Sequence, residues 1–107
     1  MQSKLLLVIT TLPSQKSATK LAKQLVEKKL AACIQISAPV TSIYRWQDKV
    51  CEEHEYQLQI KCTQDCYSAL EQTINKLHPY KVPEIIAIPV INGLFEYVNW
   101  VKEVTCG

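Results

Sequence analysis

Val40 to Cys62 reads VTSIYRWQDKVCEEHEYQLQIKC. Val40 to Trp46 is rich in β-branched and aromatic residues, the composition that suits a pleated strand. Gln47-Asp48-Lys49 has turn chemistry, because Asp tolerates the left-handed backbone that a tight hairpin needs. From Val50 to Cys62 side chains alternate: Tyr56, Leu58 and Ile60 fall on one face, Gln57, Gln59 and Lys61 on the other. The stretch is a hairpin, and its second arm is long for the chain that carries it. At roughly 3.3 Å per residue the arm would extend about 43 Å. A compact chain of this length has a diameter of about 34 Å. The arm therefore folds back as a bulged hairpin, or it projects. A projecting arm exposes Ile43, Tyr44 and Trp46 and leaves backbone groups unpaired along its edge. Pairing with a sister chain satisfies both needs, so the hairpin predicts self-association.

On the N-terminal side, Leu5 to Thr11 is a short apolar run closed by Pro13, the pattern of a buried strand. Ser14 offers an N-cap. Ala18, Leu21, Ala22, Leu25 and Val26 recur at helical spacing, with Lys20, Lys23 and Glu27 between them, which predicts an amphipathic helix over 15–29. Leu30 to Ile36 suits a strand, and Pro39 then imposes a bend or an edge. On the C-terminal side, Thr63 or Asp65 caps a second helix whose apolar face is Tyr67, Leu70, Ile74 and Leu77; Pro79 ends it. Ile85 to Ile91 is a further apolar strand. Asn92-Gly93 turns the chain into a short C-terminal helix carrying Leu94, Tyr97, Val98, Trp100, Val101 and Val104.

The order strand, helix, strand, strand, helix, strand, helix predicts an α+β, ferredoxin-like split βαβ sandwich. It has an antiparallel sheet, an extended central hairpin and a short C-terminal helix. The 107 residues, 48% hydrophobic and 21% charged, make one domain over 1–107 with a core of its own. Metal and disulfides are not required for it to fold. The net charge of +2 is spread thinly, without a basic run interleaved with aromatics, so nucleic acid is not an expected partner. No apolar run reaches membrane-spanning length, and the Leu5 to Ile9 run is too short for a signal-peptide core. A cytoplasmic location is expected. The 5 cysteines, Cys33, Cys51, Cys62, Cys66 and Cys106, then read as reduced thiols.

Leu30-Ala31-Ala32-Cys33, Thr41-Ser42-Ile43-Tyr44-Arg45-Trp46, Ile60-Lys61, His78-Pro79-Tyr80, Val82-Pro83-Glu84-Ile85-Ile86 and Tyr97-Val98-Asn99-Trp100 together resemble the CutA family of divalent-cation tolerance proteins. Order and spacing agree from Leu5 to about Val104. The resemblance implies a ferredoxin-like homotrimer joined by strand pairing, and an association with copper and other divalent metals. It implies no agreed molecular activity. The subunit architecture is similar to that of the PII signalling proteins, so the alternative is a sensing or scaffold module that binds an anionic small molecule at an inter-subunit cleft. Three positions depart from the common pattern. Asp48 stands where many members have Gly, which implies a less tight hairpin tip. Gln35 stands where many have Asn. Lys81 stands where many have Glu, and adds positive charge beside His78.

His78, Cys33 and Glu84 are the candidate metal ligands, with copper the candidate cation. His78 presents imidazole at a helix end, where it binds Cu(II) or Zn(II) as an exposed ligand or else caps the last carbonyls. Cys33 is a soft thiolate ligand or a small buried apolar residue. Glu84, like Glu55, completes a metal site, acts as a general base, or is a solvated charge. Trp46, Trp100, Tyr44 and Tyr80 line a pocket between subunits or belong to core and interface. His54, in the run Glu52-Glu53-His54-Glu55, binds surface metal or stays solvated. A Ser-His-Asp order and a glycine-rich phosphate loop are both missing. The expectation is a protein that binds divalent cations and is not an enzyme.

Overall fold

In the computed structural model, which describes residues 4–105, the apolar run near the N-terminus becomes the spine of the sheet. This strand, β1 (Leu5–Leu12), is followed by α1 (Gln15–Glu27), β2 (Cys33–Ile36), β3 (Val40–Trp46), β4 (Lys49–Thr63), α2 (Gln64–Leu77), β5 (Ile86–Val90) and α3 (Phe95–Val104). The strand order is β2-β4-β1-β5, with β3 also paired to β4. All pairings are antiparallel. This is the ferredoxin-like arrangement expected from the sequence.

Ser14 caps α1 through a capping box, its hydroxyl accepting from the Ser17 N–H while Ser17 answers at the Ser14 backbone. The helix stops at Glu27, earlier than the periodicity predicts, because Lys29 turns left-handed at φ 60°. That turn also delays β2 to Cys33, so Leu30 and Ala31 are core residues ahead of the strand. Pro39 lies in the break between β2 and β3. One face of the sheet carries Val8, Leu12, Leu58 and Ile60, which pack against Leu21 and Leu25 of α1 and Leu70 and Ile74 of α2. Burying each such side chain is worth about 1.5–3 kcal/mol.

The other face is only partly covered. Register puts Ile86 opposite Ile9 and Ile88 opposite Leu7 on that face, and both isoleucines are exposed in the protomer. Part of this face meets α3, which packs on β4 with Val101 buried. The rest of α3 shows Phe95 and Trp100 to solvent, as does Leu94 at its N-cap.

The hairpin projects. Pairing of β4 with β1 ends at Tyr56, opposite Leu12. Among the described residues, β4 from Lys49 to Glu55 pairs only with β3. The protomer is accordingly 46 Å long and 25 × 24 Å across. At the tip, Gln47 and Asp48 both adopt left-handed backbone, φ 49° and 64°, and close Trp46 onto Lys49. This is the tight two-residue turn that matches strand twist, so the looser tip implied by Asp48 does not occur.

Cys33, Cys51 and Cys62 are free thiols. Cys66 is disulfide-bonded, against the expectation of reduced cysteines throughout. A residue count carries no information about which thiols folding brings together. Cys106 lies outside the described residues.

Candidate functional site

Three polar residues tie the root of the hairpin to the segment after α2. The helix ends at Leu77 because His78 must take an extended backbone ahead of Pro79 (φ −73°, ψ 138°); its N–H still bonds the Ile74 carbonyl at 2.8 Å. The imidazole turns inward and is only 8% exposed. Its Nε2–H donates to the Thr11 carbonyl at 2.7 Å, and its Nδ1 accepts from the Tyr80 N–H at 3.1 Å. The Tyr80 ring lies 4.8 Å from the imidazole, and its hydroxyl donates to Glu55 Oε2 at 2.7 Å. β1, the α2–β5 connection and β4 are thus linked in series.

This corrects one expectation. His78 is not an exposed imidazole free to take a metal; both ring nitrogens are engaged in the neutral, Nε2-protonated form. The cause is simple: the carbonyl of Thr11, at the end of β1, needs a donor, and His78 supplies it. Burial holds the His78 pKa below its ordinary value, against the opposing pull of the Thr11 bond and the Glu55 charge. The Tyr80 phenol is pushed far above its usual range, first by burial and then by its bond to Glu55.

Beside this linkage lies a cleft of about 670 Å³. Tyr44 and Trp46 of β3, Glu53 and Glu55 of β4, and Tyr80 and Glu84 after α2 form its walls. Alternation along the hairpin explains the set: Ser42 pairs with Glu53 and Tyr44 with Cys51, so the aromatic and acidic side chains share one face. His54 falls on the opposite face, where Thr41 Oγ1 lies 3.4 Å from its Nδ1. A depression of similar volume along α1 is walled, among the described residues, by that helix alone, with Lys16, Lys20 and Lys23.

Cys33 sits apart from the cleft. It is half-buried on β2, paired with Lys61, and lies beside the Tyr97 phenol of α3. Trp100 stacks on Tyr97 at 5.7 Å and does not join the cleft aromatics. Among the described residues no three His, Cys, Asp or Glu side chains stand close enough to hold one ion. Cys33, His78 and Glu84 are therefore separate groups within the protomer, not one metal site.

The family model described as CutA1 divalent ion tolerance protein matches residues 6–104. The chain belongs to that family. A divalent-cation tolerance protein CutA of Thermus thermophilus is 46% identical over 98 residues, covering 92% of this chain and 95% of its own. The crystal structure of a CutA1 described as stable, from the psychrotrophic Shewanella sp. SIB1, superposes with a TM-score of 0.94 at 44% identity over 100% of both chains. Human protein CutA is 42% identical over 89% of this chain; there the match spans 53% of the relative. CutA membership agrees with the resemblance read in the sequence.

Of the cleft residues, sequence reading singled out Tyr44, Trp46, Tyr80, Glu55 and Glu84 one by one. It missed Glu53 and the Thr11 carbonyl. Hairpin alternation carried the signal for Glu53, since it places that residue two along from Glu55 on the same face. Thr11 is 67 residues from His78 in the chain, and its role is played by a backbone atom, which leaves no mark in residue type.

Proposed function

We propose that the protein is a non-enzymatic cytoplasmic homotrimer that takes part in tolerance to divalent cations, copper foremost. The observation that carries this reading is the unfinished surface of the protomer. Ile86, Ile88, Leu94 and Phe95 are exposed, and among the described residues β4 from Lys49 to Glu55 has one edge without a strand. Membership of a family described by divalent ion tolerance supports the metal part. The free thiols at Cys33, Cys51 and Cys62 agree with a reducing compartment, and the Cys66 disulfide argues the other way.

Metal binding on this reading is weak, and its donors are Cys33 and Glu84, each completed by a group from a neighbouring copy. His78 contributes only by giving up its bond to Thr11 or to Tyr80. Calorimetric titration of Cu(II) into the parent, Cys33→Ser, Glu84→Gln and His78→Gln tests it. The expected result is loss of copper binding in one of the first two variants. Binding that persists in both of them, and vanishes only with His78, would defeat it.

A second reading, a PII-like sensing module, is favoured by the ligand-sized cleft, whose volume falls in the range of small-molecule sites.

A further inference from the structure

The cleft has walls of a definite chemical kind. Tyr44, Trp46 and Tyr80 offer aromatic surface, and Glu53, Glu55 and Glu84 offer carboxylates; Lys81 is the one basic residue on the lining. Three carboxylates against one ammonium leave an excess of negative charge. Among the described residues none of the three makes an ion pair, and the Tyr80 hydroxyl donates to Glu55. An anion entering this cleft would meet like charge. That rules against the anionic ligand expected of a PII-like module.

A bare metal ion does not fit either. Among the described residues no three donors converge on one point there. The nearest nitrogen ligand, His78, has both ring nitrogens occupied. A small divalent ion gains most from several donors at about 2.0–2.6 Å. Here the negative charge is spread along the walls of a volume of about 670 Å³.

We propose that the cleft binds an organic polycation, a linear polyamine. The match has two parts. Ammonium groups spaced along a chain meet carboxylates spaced along a cleft. Methylene segments between them lie on the Tyr44 and Trp46 rings, and an ammonium over the face of Trp or Tyr is attracted by the ring quadrupole. The cleft runs between the hairpin and the segment after α2, so its walls are lined along both. The proposal rests on the second reading's cleft; it shares Glu84 with the copper reading and the hairpin residues Tyr44 and Trp46 with the assembly reading.

The test is isothermal titration of spermidine into the full-length protein at low ionic strength, with magnesium chloride and ATP as separate titrants. Saturable binding of one spermidine per cleft is expected. Glu53→Gln combined with Glu84→Gln should weaken it about tenfold. Glu52→Gln, on the opposite face of the hairpin, should leave it unchanged. Thermal melts establish that the variants are folded; should the double variant fail, Trp46→Ala, with every carboxylate intact, is expected to weaken binding and decides the matter. The proposal is overturned by any of three results: no saturable heat, equal loss in Glu52→Gln, or displacement of spermidine by magnesium at equal charge. Saturable binding of ATP in place of spermidine would keep the sensing module and overturn the polyamine. Silence with every titrant would remove both.

Discussion

His78 shows how one residue's surroundings become a property of the molecule. In the folded state the ring is neutral, donating to Thr11 and accepting from the Tyr80 N–H. A proton on Nδ1 would remove that acceptor. Burial accordingly holds the folded pKa below the ordinary 6.5. The unfolded chain then binds more protons than the folded one as pH falls, so stability drops with falling pH. The loss begins as pH passes down through about 6.5 and continues to the lower folded value. Melting curves between pH 5 and 8 should show this slope in the parent and a flatter one in His78→Gln. Equal slopes in both would mean that another group controls the effect. Thiol chemistry gives a second test at this scale. Burial pushes the Cys62 thiol up to about 11, and only the thiolate attacks. With the native protein at pH 7.5, a disulfide reagent should modify the half-buried Cys33 and Cys51 and spare Cys62. Peptide mapping that found Cys62 labelled before the other two would contradict the packing described.

At the scale of elements, the hairpin tip concentrates the strain. Gln47 and Asp48 are both left-handed, a conformation that costs an L-residue roughly 1–2 kcal/mol. Glycine avoids that cost but loses more backbone freedom on folding. The net expectation for Asp48→Gly is a gain of about 0.5 kcal/mol, read as a higher urea midpoint with unchanged slope. A lower midpoint would mean that the Asp48 side chain contributes something else. Much of this level was legible in the sequence. The spacing of Leu21 and Leu25, or of Leu70 and Ile74, has one physical solution, a helix with one buried face, and the structure has it. The alternation of Tyr56, Leu58 and Ile60 likewise allowed only one facing. The end of α1 was less legible, because a left-handed Lys29 has no signature in residue type. The cleft was legible as ingredients only. Tyr80 and Glu55 are 25 residues apart, and nothing in the local pattern of either says that the long β4 passes the segment after α2. Their meeting follows from topology, which puts β4 beside β1 and the end of α2 over the end of β1.

At the scale of the molecule, the protomer leaves two needs unmet. One is apolar: Ile86 and Ile88 share an exposed sheet face with Leu7 and Ile9, and Leu94 and Phe95 lie beyond it on the chain. The other is polar: β4 runs past the end of β1 from Lys49 to Glu55, and β5 is the outermost strand. Edges like these attract other strands unless covered. Leaving both open in solution would invite uncontrolled association, whereas a closed ring of copies satisfies each edge with its counterpart. The family resemblance implies three copies. Light scattering on the eluting protein should therefore give three times the 12.2 kDa protomer mass. Ile88→Lys puts an ammonium in the middle of the apolar face, where an unpaired charge is costly. It should shift the particle toward 12.2 kDa while the core of Val8, Leu58 and Ile60, on the opposite side of the sheet, keeps the secondary structure intact by circular dichroism. Hairpin and face are separable in the same assay. A trimer that survives Ile88→Lys would move the contact from the sheet face to the β4 edge, and a parent particle of 12.2 kDa at micromolar concentration would end the argument for assembly.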